Sequence, residues 1–316
     1  MIRKIFWFLS TKYFLENLKI NKLVEGNLIT CMDAGSNPAD STNSFLFIII
    51  LNNFFYFYFL KQKLIMKNLL LTLTLLFTIS INAQYAVMYA VDLNEGAEQD
   101  YLKLEAFWSE IHKEAIKQGS QNGWSVWKRT PKETDEANAP EYIIFDGFES
   151  EEKMNAGYNG TELAFQAYKG KTSRRSIQRM LDQTGSESKE RRTYQLKGVA
   201  ATILAGGDIK KGDKMSVNFM NKKTDDFENY ETQVWKPVAE KNILAGNLRQ
   251  WILVEAIGRS ENAYSGWTHL AFNVQAENPG EWVGMSGFKW EKLWEGIESS
   301  RDMSDADELV CVYSMN

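Results

Sequence analysis

Apolar and polar positions alternate along residues 85–92, with Tyr and Val prominent, which predicts a strand. Over 97–118 the period changes. Tyr101, Leu104, Trp108, Ile111 and Ala115 recur at steps of three and four, so this stretch predicts a one-faced helix that Gly119 stops. Residues 124–130 and 142–148 return to strand character on either side of a polar loop that holds Pro131 and Pro140. A helical region over 151–166, a basic continuation over 174–180 and a strand over 192–197 complete this first series. A second series follows: a strand over 215–220, a helix over 226–245, strands over 251–257 and 267–274, a helix over 281–299 and a strand over 308–314. Pro237 inside the first of these helices predicts a kink or a late start. Residues 198–214, with Gly206, Gly207 and Gly212, read as the link between the two series.

A displacement of 127 residues relates the series. It places Trp108 on Trp235, Gly119 on Gly246, Trp124 on Trp251 and Phe145 on Phe272, and it also matches Ile111 with Val238 and Ile143 with Leu270. Tryptophan is scarce enough that such coincidences at one offset predict an internal duplication. Each copy reads strand, helix, strand, strand, helix, strand, which is the ferredoxin-like βαββαβ order: an antiparallel sheet with both helices on one face and the other face bare. The predicted fold class is therefore α+β. Residues 84–197 and 215–316 are expected to form two ferredoxin-like units packed sheet to sheet as a single-chain α/β barrel.

This element order, with the Trp-x₁₀-Gly-x₄-Trp spacing of Trp108, Gly119 and Trp124 and again of Trp235, Gly246 and Trp251, resembles the dimeric α/β-barrel superfamily. The resemblance implies helices outside a barrel formed by two sheets. It also implies a range of activities: cofactor-independent monooxygenases, haem-binding and haem-degrading enzymes, and small-molecule isomerases. A fold shared by so many chemistries selects none of them.

Upstream, Met66 opens a short basic end, an apolar run over 69–81 and the small-residue site Asn82-Ala83-Gln84. Residues 66–83 thus predict a secretory signal peptide cleaved after Ala83, too short to serve as a spanning helix. Residues 1–65 are expected to be a mis-called leader: Gly35-Ser36-Asn37-Pro38 is how GGT-TCG-AAT-CC, resembling the T-arm of a transfer-RNA gene, reads in frame. The expected address is exported, periplasmic or extracellular, with no stable membrane insertion after cleavage.

Composition narrows the partners. Residues 84–316 hold 28 Lys and Arg against 37 Asp and Glu, a formal charge of −9, which predicts no affinity for nucleic acid. Cys311 stands alone in that stretch, so no internal disulfide is expected and its thiol reads as a small buried hydrophobe.

Strand alternation nominates the site. It assigns Leu270, Phe272 and Val274 to the helix side, which sends Trp267, His269, Ala271 and Asn273 toward the barrel. Tyr142 and Asp146 match them in the first copy, and Trp124 with Lys128 corresponds to Trp251 with Glu255. A one-residue slip exchanges these faces. His269 is the candidate catalytic residue, because histidine exchanges protons near neutrality, although it also reads as a packed residue hydrogen-bonded locally. Trp124, Lys128, Tyr142, Asp146, Trp251, Glu255, Trp267 and Asn273 are the candidate binding residues, with Asp146 and Lys128 also able to form an ion pair. His112 reads as a boundary or surface residue, with haem or metal ligation the lesser alternative. No metal-binding or nucleophile motif is present, and the cofactor is unknown.

Two functions fit this pattern. One is an exported binding or stress-associated protein whose barrel takes a small apolar or aromatic molecule; the other is a monooxygenase-like or haem-handling enzyme. Export makes the first prediction: N-terminal sequencing of the protein from its natural host gives Gln84 or a close neighbour as the first residue.

Overall fold

The computed structural model describes residues 85–315; the leader and the signal-peptide assignment lie outside the described residues. Eight strands close into an antiparallel barrel. In chain order the elements are β1 (Tyr85–Leu93), α1 (Glu98–Lys117), β2 (Gly123–Arg129), β3 (Tyr142–Phe148), α2 (Glu151–Ala156), α3 (Gly160–Ala167), α4 (Arg174–Asp182) and β4 (Ser188–Ala201). There follow β5 (Lys214–Lys222), α5 (Phe227–Tyr230), a π-helical turn (Glu231–Trp235), α6 (Lys236–Leu244), β6 (Leu248–Arg259), β7 (His269–Gln275), α7 (Phe288–Ser300), the short β8 (Arg301–Met303) and β9 (Asp307–Met315).

Around the barrel the order is β7-β6-β4-β1-β3-β2-β9-β5, and β5 pairs back onto β7. Closure leaves no unpaired edge among these eight strands, and β8 merely extends along β5. Two seams join strands of the first series to those of the second: β4 on β6, with Lys197 opposite Glu255, and β2 on β9, with Trp127 opposite Cys311. The barrel with outer helices is the architecture that the superfamily resemblance implies. Register repeats as well. Trp124↔Asp146, Val126↔Ile144 and Lys128↔Tyr142 on β2–β3 recur, 127 residues on, as Trp251↔Asn273, Leu253↔Ala271 and Glu255↔His269 on β6–β7.

Local rules account for most elements. Both long helical regions end at a left-handed glycine, Gly119 at φ 72° and Gly246 at φ 78°, a conformation that costs other residues strain. Ser150, Asn159 and Ser173 cap α2, α3 and α4 by accepting backbone N–H hydrogen bonds. The continuous helix expected over 151–166 is instead broken at Gly157, and the one expected from 281 starts at Phe288. Pro237 sits at the start of α6, directly after a π turn through which the helix continues from α5.

The barrel interior is apolar. Met88, Ala90, Trp127, Ile143, Tyr194, Leu196, Met215, Val217, Val254, Leu270, Phe272, Val274, Leu309 and Cys311 fill it, contributed by all eight strands. This overturns the expected parity. Leu270, Phe272 and Val274 point inward, whereas His269 packs on Phe227 of α5 and Ala271 joins Trp251 and Leu253 in the layer beneath the second-series helices. Trp124 and Tyr142 likewise pack beneath α1 with Tyr101. By strand alternation Lys128, Asp146, Glu255 and Asn273 share that outer side. Only Trp267, in the turn before β7, joins the interior cluster as expected. The physical reason is that helices cover the outer face and the barrel covers the inner one, so both faces are buried and alternation loses its contrast.

Across the interior, Phe145 of β3 meets Phe272 of β7 edge to face at 5.3 Å, tying one series to the other. Phe272→Ala is therefore expected to cost about 3–5 kcal/mol, the ordinary range for a buried phenylalanine. Urea denaturation followed by tryptophan fluorescence checks it, with a lowered midpoint and an unchanged m-value as the expected result.

Candidate functional site

On the outer face of β1, β2 and β3 the sequence places Tyr89, Trp124 and Asp146 under α1, and α1 answers with Glu105, Trp108 and His112. The amphipathic stripe of α1 docks the helix, which carries the polar residues beside that stripe down with it. Asp146 is 5% exposed, Glu105 3% and His112 5%. Gln121, just past α1, and Tyr158, between α2 and α3, close the cluster from the side.

Its hydrogen bonds converge on the histidine. His112 Nδ1 lies 2.9 Å from Gln121 Oε1 and 3.3 Å from Tyr158 Oη, and 4.0 Å from Asp146 Oδ1. The imidazole lies nearly flat on Trp124, with centroids 4.7 Å apart at 13°, and Trp108 flanks it at 5.8 Å. Asp146 Oδ1 and Gln121 Nε2 are buried without a hydrogen-bond partner. Arg191 of β4 is the cation of the cluster, 3.8 Å from Glu105 and stacked over Tyr89 at 5.2 Å.

Burial sets the proton affinities. Loss of solvent raises Asp146 from 3.8 to about 7, against the partial offset of Arg191, and raises Glu105 from 4.5 to about 7 in the same way. The same loss lowers His112 from 6.5 to about 4 and pushes the Tyr89 phenol up to about 12 and that of Tyr158 higher still. Near neutrality the histidine is thus an uncharged hydrogen-bonding group, and both carboxyls keep their protons to a higher pH than exposed acids do. Such a pair of acids is suited to taking up and giving back a proton.

Of the residues nominated from sequence, Asp146, Trp124 and His112 meet here. His112 is a correction, since the expected surface residue is buried under Tyr158, Trp108 and Trp124. Lys128 pairs with Glu98 rather than with Asp146, and Tyr142 donates to the same Glu98 at 2.6 Å. His269, Trp251, Glu255 and Asn273 lie on the other series. There His269 is 1% exposed, with Nε2 3.5 Å from Glu228 Oε1, Nδ1 2.9 Å from Thr268 Oγ1, and a proton affinity lowered by burial. Trp267 packs on Tyr194 at 5.0 Å with the rings tilted by 35°, and it lies under Arg259 at 4.8 Å. Glu105, Gln121, Tyr158, Arg191 and Tyr89 are not among the residues that the sequence nominates. For Glu105 a signal exists: it lies next to Leu104 on the buried stripe, one position off.

No protein-family model matches the chain, and no curated protein does. Among solved structures it is similar to a proposed monooxygenase from Lactobacillus acidophilus, at 10% identity over 74% of this chain and 96% of that one, TM-score 0.45. It is similar to an anthrone oxidase-like protein at 10% identity, 74% and 93% coverage and TM-score 0.42. A haem-binding protein from Thermus thermophilus follows at 8% identity, 73% and 92% coverage and TM-score 0.36. At such scores no residue correspondence is fixed.

The shifted acids make stability depend on pH. A carboxyl that holds its proton longer in the fold than in the unfolded chain stabilises at low pH, and that contribution is lost as pH rises from 3.8 toward 7 for Asp146. His112 works oppositely, its contribution falling away as pH drops from 6.5 toward 4. Asp146→Asn is expected to be more stable than the parent, by a margin growing from about pH 4.5 to about pH 7.5 and reaching a few kcal/mol at most. Denaturation midpoints across that range measure it.

Proposed function

We propose that the chain is an acid–base enzyme acting on a small aromatic molecule, of the monooxygenase-like kind, with its site beneath α1. The observation that carries this is Asp146, a buried carboxyl held near neutrality with one oxygen unpartnered, in a shell of Trp108, Trp124, Tyr89 and Tyr158. Asp146 takes a proton from a phenol or an activated carbon acid lying against the aromatic walls. The neutral His112, fixed by Gln121 and Tyr158, orients the substrate oxygen, and Arg191 offsets the negative charge that develops. Resemblance to a superfamily that includes cofactor-independent monooxygenases suggests the next step. The substrate anion gives electrons to dioxygen, one oxygen atom entering a CH₂ group that becomes a carbonyl and the other leaving as water. Entry is proposed at the joint of α2 and α3, two short helices hinged at Gly157.

The haem-handling alternative has less support: His112 and His269 are both buried under packed side chains, His112 with Nδ1 held by Gln121 and Tyr158 and His269 with Nδ1 held by Thr268. A tandem of two ferredoxin-like units remains our reading of the chain's organisation. The repeated β2–β3 register at a 127-residue offset supports it, as does the barrel order, in which each series contributes four consecutive strands. On that reading the second unit replaces His112, Gln121 and Asp146 by Ala239, Leu248 and Asn273, so one unit alone keeps the proton-handling set. Export of the mature chain is part of the same proposal.

Dioxygen uptake with a panel of polyhydroxynaphthalenes and anthrones tests the reading. The parent is expected to consume dioxygen with a rate that rises as pH passes about 7, where Asp146 ionises. Asp146→Asn is expected to lower that rate by about 100-fold or more with its circular dichroism unchanged. A folded Asp146→Asn protein that keeps the parent rate overturns the assignment.

A further inference from the structure

A concave surface lies on the second series, away from Asp146. Trp235 of the π turn, Val238 of α6, Trp282, Gly284 and Met285 of the loop before α7, and Trp290 and Trp294 of α7 surround a groove of about 260 Å³. Trp235 and Trp282 are nearly parallel, 19° apart with centroids at 6.1 Å, and Trp294 leans on Trp235 at 5.9 Å. Trp282 remains 44% exposed and Met285 40%. Indole left to water in this way costs free energy unless something covers it.

The loop that presents Trp282 and Met285 is held firmly. Asn242, fully buried, accepts from Val283 N at 2.9 Å and donates to Val283 O at 3.0 Å, so one side chain grips both sides of that peptide position. Asn247, 5% exposed, accepts from Gly280 N at 2.7 Å, donates to Glu281 O at 2.7 Å and donates to Asn242 Oδ1 at 3.1 Å. Two buried amides thus hold two exposed apolar side chains in place, an arrangement that packing of the fold alone does not call for. It is what a preformed binding wall requires.

The chemistry of the lining selects the ligand. Its wall side chains are four indoles, a valine and a methionine, which suit a flat ring and offer a sugar little to bond. At the rim, Lys241 Nζ rests 2.6 Å from Met285 Sδ and has no carboxylate partner among the described residues. The neighbouring Lys292 is by contrast paired with Glu295 at 2.7 Å. An unpaired ammonium disfavours a quaternary cation in the indole cage and favours a negative group there.

We propose that this groove binds a planar aromatic anion, its ring stacked on Trp282 and Trp235 and its acid group directed to Lys241. The site is separate from the one beneath α1, and neither depends on the other.

Calorimetric titration of the mature chain with 2-naphthoate, with neutral 2-naphthamide as the matched control, tests it. The naphthoate is expected to bind and the amide to bind about fivefold more weakly or less. Trp282→Ala is expected to weaken naphthoate binding about tenfold, the ordinary worth of a stacked ring. Lys241→Glu is expected to remove the preference for the acid over the amide while leaving amide binding unchanged. Both substitutions are at exposed positions and leave the fold intact. No naphthoate binding at millimolar concentration, or binding indifferent to Trp282→Ala, overturns the proposal, and equal binding of acid and amide overturns its choice of an anion.

Discussion

Closure of the barrel is the constraint from which the other features follow. An open antiparallel sheet has two raw edges and one uncovered face, and each must be paired or buried. Here the seams β4–β6 and β2–β9 remove the edges, and the residues between the strands remove the bare face. That interior takes large side chains from all eight strands, Trp127, Phe272 and Leu196 among them, so it is a packed core with apolar contents. Polar groups must then be placed elsewhere. In the first series they lie in the layer between sheet and α1, where helix and strand side chains can face each other at hydrogen-bonding distance.

This layer is also where burial shifts proton affinities. Asp146 projects from a strand whose neighbours on the same face are Ile144 and Tyr142, and α1 covers it, so almost no water reaches the carboxyl. Arg191 supplies one nearby positive charge, which must serve Glu105 as well as Asp146. One cation beside two buried acids leaves both far from their usual range. A second arginine at that place would have turned the cluster into an ordinary ion-pair network.

The elements are legible in the sequence and the faces are not. The strand over 142–148 can be read to the residue, because Pro140 bounds it and Tyr142, Ile143, Ile144 and Phe145 are strand formers. The helix over 97–118 is equally plain from its stripe and its terminal glycine. Parity fails on β7 because His269, Leu270, Ala271 and Phe272 are all buried, and in a closed barrel under helices that run gives no hint of which side is which. The break at Gly157 escapes because Gly157 and Gly160 leave two short capped helices where a single period predicts one. Burial of His112 depends on Tyr158, 46 residues away, and no local pattern reports that. Glu105 and Arg191 join the site by the same kind of long-range contact.

The two outer layers differ in what they hold, and the shared interior explains how they can. At positions 127 residues apart, Tyr101 rests on Tyr142 with rings 4.5 Å apart, whereas Glu228 approaches His269 at 3.5 Å, so helix meets strand with different chemistry in the two series. Substitution on the outer side leaves interior residues such as Phe145 and Phe272 untouched, and these set the frame of both halves. One layer can therefore hold a buried acid cluster around His112 while the other sets its histidine against Glu228 and carries tryptophans at its surface. A fold whose stability is concentrated between the sheets leaves each helix-covered face free to acquire a chemistry of its own.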